Sequence, residues 1–136
     1  MKKFRFLEHT ADQKFQAFGK TLEEAFENAA YALKTTITES KIEQKVKKTI
    51  EVKSEDKKAL LYDFLEQFLI LLDSENFILS EIESLKIKDL KLTAKLKGDT
   101  DLKKYEINTH IKAVTYQEMK IKKEKNNYMV QVILDL

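Results

Sequence analysis

"LLYDFLEQFLILLDSENF", residues 60–77, decides the fold. Leu60, Leu61, Phe64, Leu65, Phe68, Leu69 and Leu72 recur at helical spacing and form a broad apolar stripe. The stripe predicts a helix over 55–73 that forms the centre of the core. Ser54 is its expected N-cap, and Glu55 and Asp56 suit the positive end of its dipole. Immediately downstream the period changes. Residues 78–88 read as a strand, and Leu90, Leu92, Ala94 and Leu96 alternate strictly, which makes 90–97 another. Gly98-Asp99 is the expected turn after it. Upstream, Val46, Ile50 and Val52 mark a strand over 46–53.

The rest of the chain continues both patterns. Strands are expected at about 3–8 and 14–18, the second ended by Gly19. Thr21-Leu-Glu-Glu24 fits a capping box, with Thr21 as N-cap and Glu24 reaching back. Leu22, Ala25, Phe26, Ala29, Ala30 and Leu33 then define a helix to about Lys34. Residues 99–110 are ambiguous. A strand is expected from Lys112 to Lys122, a tight hairpin at Asn126-Asn127, and a last strand through Tyr128, Val130, Val132 and Leu134. Two helices among several strands predict an α+β protein, with both helices on one face of a mainly antiparallel sheet. No composition shift or linker divides the 136 residues, so one domain is expected over 1–136.

Composition narrows the functional classes. The longest apolar stretch, 64–72, is interrupted by Glu66 and Gln67 and is far too short to span a bilayer. The N-terminus runs straight into strand-like sequence with no apolar signal segment, and there is no cysteine; a cytoplasmic location is expected. The net charge is +2, and Arg5 is the only arginine. Balanced charge and a single bidentate fork argue against sequence-specific nucleic-acid binding. A Gly-rich phosphate loop, a nucleophile elbow and a Cys/His cluster are all missing, so a self-contained enzyme is not supported.

Two aspartates keep unexpected company. Asp12 follows "EHTA" in a polar connection between the first two strands, and Asp135 closes the last strand one residue before the C-terminus. Aspartate is depleted in strands. If first and last strands are neighbours, the two carboxylates could converge, with the terminal carboxylate of Leu136 beside them. Clustered anionic oxygens repel unless a cation, a proton or a lysine intervenes. An all-oxygen set favours calcium or magnesium over zinc. Pattern alone favours a simpler reading, in which Asp135 frays into solvent at the terminus. His9 could serve as ligand or base, though a lone histidine beside a strand is more often hydrogen-bonded in place. His110 has no identifiable partner. Lys112 opens "KAVTY", where most lysines snorkel to water.

"HTAD" at 9–12, "GKTLEEAFENAA" at 19–30, "LLYDFLEQFLILLDSENF" at 60–77, "IKAVTY" at 111–116 and "VQVILDL" at 130–136 together resemble the archease family. The resemblance covers essentially the whole chain, in the family's order and spacing. It implies an α+β fold containing a strand–helix–strand–strand module. It also implies an accessory protein of the GTP-dependent tRNA-splicing RNA ligase, promoting guanylylation of the ligase histidine and multiple turnover. RNA would then be met only through the ligase, with no DNA or membrane partner. The family's divalent-metal positions fall on Asp12, Asp135 and Leu136, and its other activity-linked position on Lys112. The resemblance thus reverses the expectation for the aspartate pair. Gln13 and Gln117 depart from the family pattern, the latter where many members carry histidine. Two other classes compete with an activator: an RNA-binding module or RNA chaperone, and a small metal-dependent phosphoester hydrolase.

Overall fold

The computed structural model describes residues 3–8 and 12–136. In chain order it contains β1 (Phe4–Leu7), β2 (Gln13–Gly19), α1 (Leu22–Ile37), β3 (Val46–Lys53), α2 (Lys57–Glu75), β4 (Ile78–Lys88), β5 (Lys91–Asp99), β6 (Ala113–Glu124) and β7 (Asn127–Asp135). A single 3-10 turn, Leu102–Lys104, lies between β5 and β6. The α+β class is as expected, and every strand pair is antiparallel. The strands form two sheets rather than one. One has the order β1-β2-β7-β6 and the other β3-β5-β4. The second sheet and α2 make up the strand–helix–strand–strand module.

Both helices owe their ends to local chemistry. Thr21 Oγ1 accepts from the N–H of Glu24 at 3.1 Å, as the capping box requires, but Glu24 Oε1 accepts from Lys20 N rather than Thr21 N. α1 runs one turn beyond Lys34, to Ile37. The N-cap of α2 is Asp56, not Ser54. Asp56 Oδ1 accepts from Ala59 N at 2.8 Å, whereas the Ser54 hydroxyl donates to Asp63 at 2.7 Å. Both residue types cap well; Asp63 engages the serine and leaves Asp56 to satisfy the helix N–H. Asn76 ends α2 in the left-handed region (φ 57°). Its N–H bonds to Leu72 O, and that of Phe77 to Leu71 O.

Gly98 and Asp99 are not a turn; both belong to β5. Gly98 pairs with Val46 and with Leu79, and a Cβ there would collide with the Ile78 carbonyl and the Phe77 ring. The glycine permits close approach by the irregular start of β4. The β4–β5 loop is Asp89-Leu90, with positive φ at both residues, so Leu90 is a turn residue and not the first of the strand. At the β6–β7 tip the left-handed residue is Lys125, and Asn127 already pairs with Glu124.

The apolar stripe of α2 meets α1 in the core. Phe26 stacks on Phe64, whose ring stands edge-on to Phe68. Phe15, Ala17, Val130, Val132 and Leu134 close the four-stranded sheet against this cluster, and Val52, Leu92, Ala94 and Leu96 close the other sheet. Among the described residues no helix is long and apolar enough to cross a membrane.

Candidate functional site

The four-stranded sheet places the chain end between two other strand ends. β7 lies between β2 and β6. The β2–β7 register pairs Gln13 with Leu134; carried one residue outward, it sets Asp12 opposite Asp135. The β6–β7 register pairs Ala113 with Asp135, and the N–H of Lys112 donates to the Asp135 carbonyl at 2.8 Å. Four of the residues singled out by sequence, Asp12, Lys112, Asp135 and Leu136, therefore meet at one end of one sheet. The first and last strands, expected as neighbours, are separated by β2; it is β2, entered directly from Asp12, that pairs with β7. His9 lies outside the described residues. His110 is exposed, and so is the Lys112 side chain.

Strand alternation makes the site two-sided. Gln13, Phe15 and Ala17 face the helices, so Asp12, Lys14 and Gln16 face away from them. The residues opposite them on β7 are Asp135, Ile133 and Gln131. Asp12 and Asp135 are both half-buried, and among the described residues neither carboxylate has an ion-pair or hydrogen-bond partner. The next row is neutralised: Lys14 Nζ bonds Glu118 at 2.9 Å. Unrelieved like charges directly opposite on paired strands repel. A hard divalent cation suits this arrangement, because the donor set is two carboxylates and the terminal oxygens of Leu136. Among the described residues there is no cluster of three Asp, Glu, His or Cys side chains that could hold a metal ion.

Sequence reasoning missed the groups that support this end. Between Thr115↔Ile133 and Lys120↔Gln131, residues 116–119 of β6 face Val132 alone, a wide bulge with Glu118 at φ 52°. The bulge delivers Glu118 to Lys14. Its carbonyl accepts from Gln131 Nε2 at 2.8 Å; Gln16 donates to Gln131 Oε1 at 2.9 Å, and Arg5 donates twice to Gln16 Oε1. This polar row crosses all four strands. Its signal in the sequence is Gln131, a lone amide in "VQVIL" that is only 3% exposed. Beside the bulge Tyr116 stacks on Tyr62 of α2 at 4.4 Å. Desolvation and the nearby Asp63 carboxylate raise the Tyr116 phenol above its ordinary value.

The ambiguous segment 99–112 is tied down by Asp99. Its carboxylate accepts from Tyr105 Oη (2.6 Å), Lys104 Nζ (3.1 Å) and the N–H groups of Thr100 and Asp101. The Tyr105 hydrogen bond is the largest influence holding the Asp99 carboxyl well below its usual range, against desolvation. Thr38 Oγ1 donates to the Glu106 carbonyl, and Asn108 N–H to that of Ile37. The segment is thus pinned on its way to Lys112.

Comparison with known proteins bears on the family and the fold. The profile of the family described as the Archease protein family matches residues 4–136. The "Protein archease" of Sulfurisphaera tokodaii is 40% identical over 139 residues, covering all of both chains. The solution structure of a Methanobacterium thermoautotrophicum protein superposes with a TM-score of 0.86 at 37% identity, again covering both chains fully. A Thermotoga maritima crystal structure, described as an archease and possible chaperone, shares the fold at 19% identity with a TM-score of 0.70, over 96% of this chain and 94% of that one.

Proposed function

The chain belongs to the archease family, and from that premise we propose that it is an accessory activator of a GTP-dependent tRNA-splicing RNA ligase. It promotes guanylylation of the ligase and sustains repeated turnover, without itself catalysing a reaction. The observation that carries this reading is the meeting of Asp12, Asp135, the chain end and Lys112 at one end of the β1-β2-β7-β6 sheet.

Asp12, Asp135 and the terminal oxygens of Leu136 would hold a divalent cation, calcium first with magnesium or manganese as alternatives, since hard oxygen donors suit all three. A cation there would present positive charge toward phosphate oxygens of an incoming nucleotide or partner. The chain's own residues define the rest. The paired carboxylates are held opposite by backbone register rather than by flexible side chains. The Lys14–Glu118 pair screens the adjacent row. Lys112 cannot ligate a cation, but its exposed ammonium can meet an anionic group on the ligase or its nucleotide.

The test is guanylylation and multiple-turnover joining by a limiting amount of the cognate ligase, with and without this chain. Wild type should raise the number of turnovers. Asp12→Ala should keep the wild-type circular dichroism, since no core atom is removed, and lose the stimulation. Normal stimulation by that variant would overturn the assignment.

A further inference from the structure

We propose that the solvent-facing side of the β3-β5-β4 sheet binds the phosphate backbone of a folded RNA without regard to sequence. The register lays out this surface row by row. Lys53, Lys91 and Lys88 stand directly opposite one another across all three strands. The next row is Glu51, Thr93 and Lys86. Lys95 lies between Thr49 and Ser84, and Lys97 between Lys47 and Glu81. The face carries seven lysines and, with Glu83 at a bulge of β4, three glutamates. That is an excess of four positive charges in a chain whose total is +2. The balanced sum conceals a segregated distribution.

The first row is unfavourable to the fold. Like charges directly opposite on paired strands destabilise a sheet. Lys91 has one distant acid, Glu51 at 3.9 Å, while Lys53, Lys86 and Lys88 have no ion-pair partner among the described residues. Together with Asp89 and Thr93 these four lysines line an open depression of about 460 Å³. The strained Asp89-Leu90 turn holds Lys88 and Lys91 opposite each other at its mouth.

The chemistry of the face selects its occupant. The face offers only Lys, Thr, Ser and Glu. Without an aromatic ring it cannot stack unpaired bases, and without arginine it lacks the planar fork that fixes the orientation of a base edge. It also lacks the buried apolar anchor that protein partners use. What remains is a grid of point charges, suited to a regular array of phosphates. The face of a three-stranded sheet is broader than the helix or two-stranded ribbon that enters the major groove of B-DNA, whereas A-form RNA is contacted through its phosphates and a wide, shallow groove.

The test needs neither ligase nor metal, so its failure would leave the proposed activation untouched. Binding of a fluorescent RNA hairpin to the whole chain is followed by anisotropy across a salt series. Wild type should bind with steep salt dependence. The variant Lys53→Gln/Lys86→Gln/Lys88→Gln/Lys91→Gln should lose most affinity, and its log–log salt slope should fall by roughly one per lysine removed. The equally charged control Lys120→Gln/Lys122→Gln/Lys123→Gln/Lys125→Gln should keep the wild-type slope. The first variant should melt no lower than wild type, because opposed cations have been removed. Absence of wild-type binding, equal losses in both variants, or a lower melting temperature in the first would each overturn the proposal. So would tighter binding of a DNA hairpin of the same sequence.

Discussion

Opposed carboxylates are costly wherever β-strands pair, because their Cβ atoms lie only about 4.5–5.5 Å apart. Asp12, just before β2, and Asp135, at the end of β7, are half-buried, and the proposed cation would relieve their repulsion. Lys112 makes the complementary test. Its backbone N–H is committed to Asp135, while its side chain is exposed. Lys112→Ala should therefore leave metal-dependent melting unchanged and reduce ligase stimulation. Lys112→Arg should restore it incompletely, because a planar fork does not reproduce a point charge. Full stimulation by Lys112→Ala would reduce this lysine to a solvated side chain. Asp99 predicts a pH dependence. Its carboxyl is held below the ordinary 3.8, so the folded state favours the ionised form. The resulting stability is present above pH 3.8 and is lost as pH falls below that value toward the folded pKa. Melting temperature measured from pH 5 to pH 2.5 should fall less steeply in Asp99→Asn than in wild type. Identical slopes would show that the Tyr105 and Lys104 contacts contribute nothing to acid sensitivity.

Among elements, α2 was the most legible in the sequence, because seven apolar residues at helical spacing admit no other period. Its cap was not. Ser54 and Asp56 are both acceptable N-caps, and only the position of Asp63, which engages the serine, decides between them. Asp56→Ala should cost about 1 kcal/mol, the usual effect of losing a cap. Ser54→Ala should cost less, because it leaves the helix N–H groups satisfied. Denaturant unfolding of the two variants orders them, and the reverse order would return the cap to Ser54. The strand ends were read less well for one reason. Gly98, Leu90 and Asn126-Asn127 were judged by what each residue permits, whereas their conformations are set by long-range pairing. Gly98 serves a close approach by β4 while pairing on its other side with Val46, fifty-two residues before it, and no local pattern encodes that. The bulge in β6 was equally hidden, since residues 116–119 are counted out only against β7.

For the molecule as a whole, the candidate site could be named from the sequence only through family resemblance. Spacing placed Asp12 and Asp135 more than a hundred residues apart, and convergence depends on β7 inserting between β2 and β6. That insertion brings the chain end beside both aspartates, and its proposed part in the site can be probed with a tag. A C-terminal extension turns the Leu136 carboxylate into an amide and should weaken a site whose affinity follows ligand charge. Melting in chelator should barely change, while the gain on adding calcium should shrink; an N-terminal tag should do neither. Equal calcium responses in both forms would leave Leu136 as no more than the end of a strand. The β6 bulge carries one more implication for the intact molecule. β6 is an outermost strand, twelve residues long, and an outermost strand of that length exposes a ladder of unpaired N–H and C=O groups on which a second chain could grow. Four residues looping out against one break that ladder into segments at Ala113–Thr115 and Lys120–Glu124, the second studded with lysines. The irregularity that brings Glu118 to Lys14 thereby also protects a crowded solution of these molecules against polymerising edge to edge.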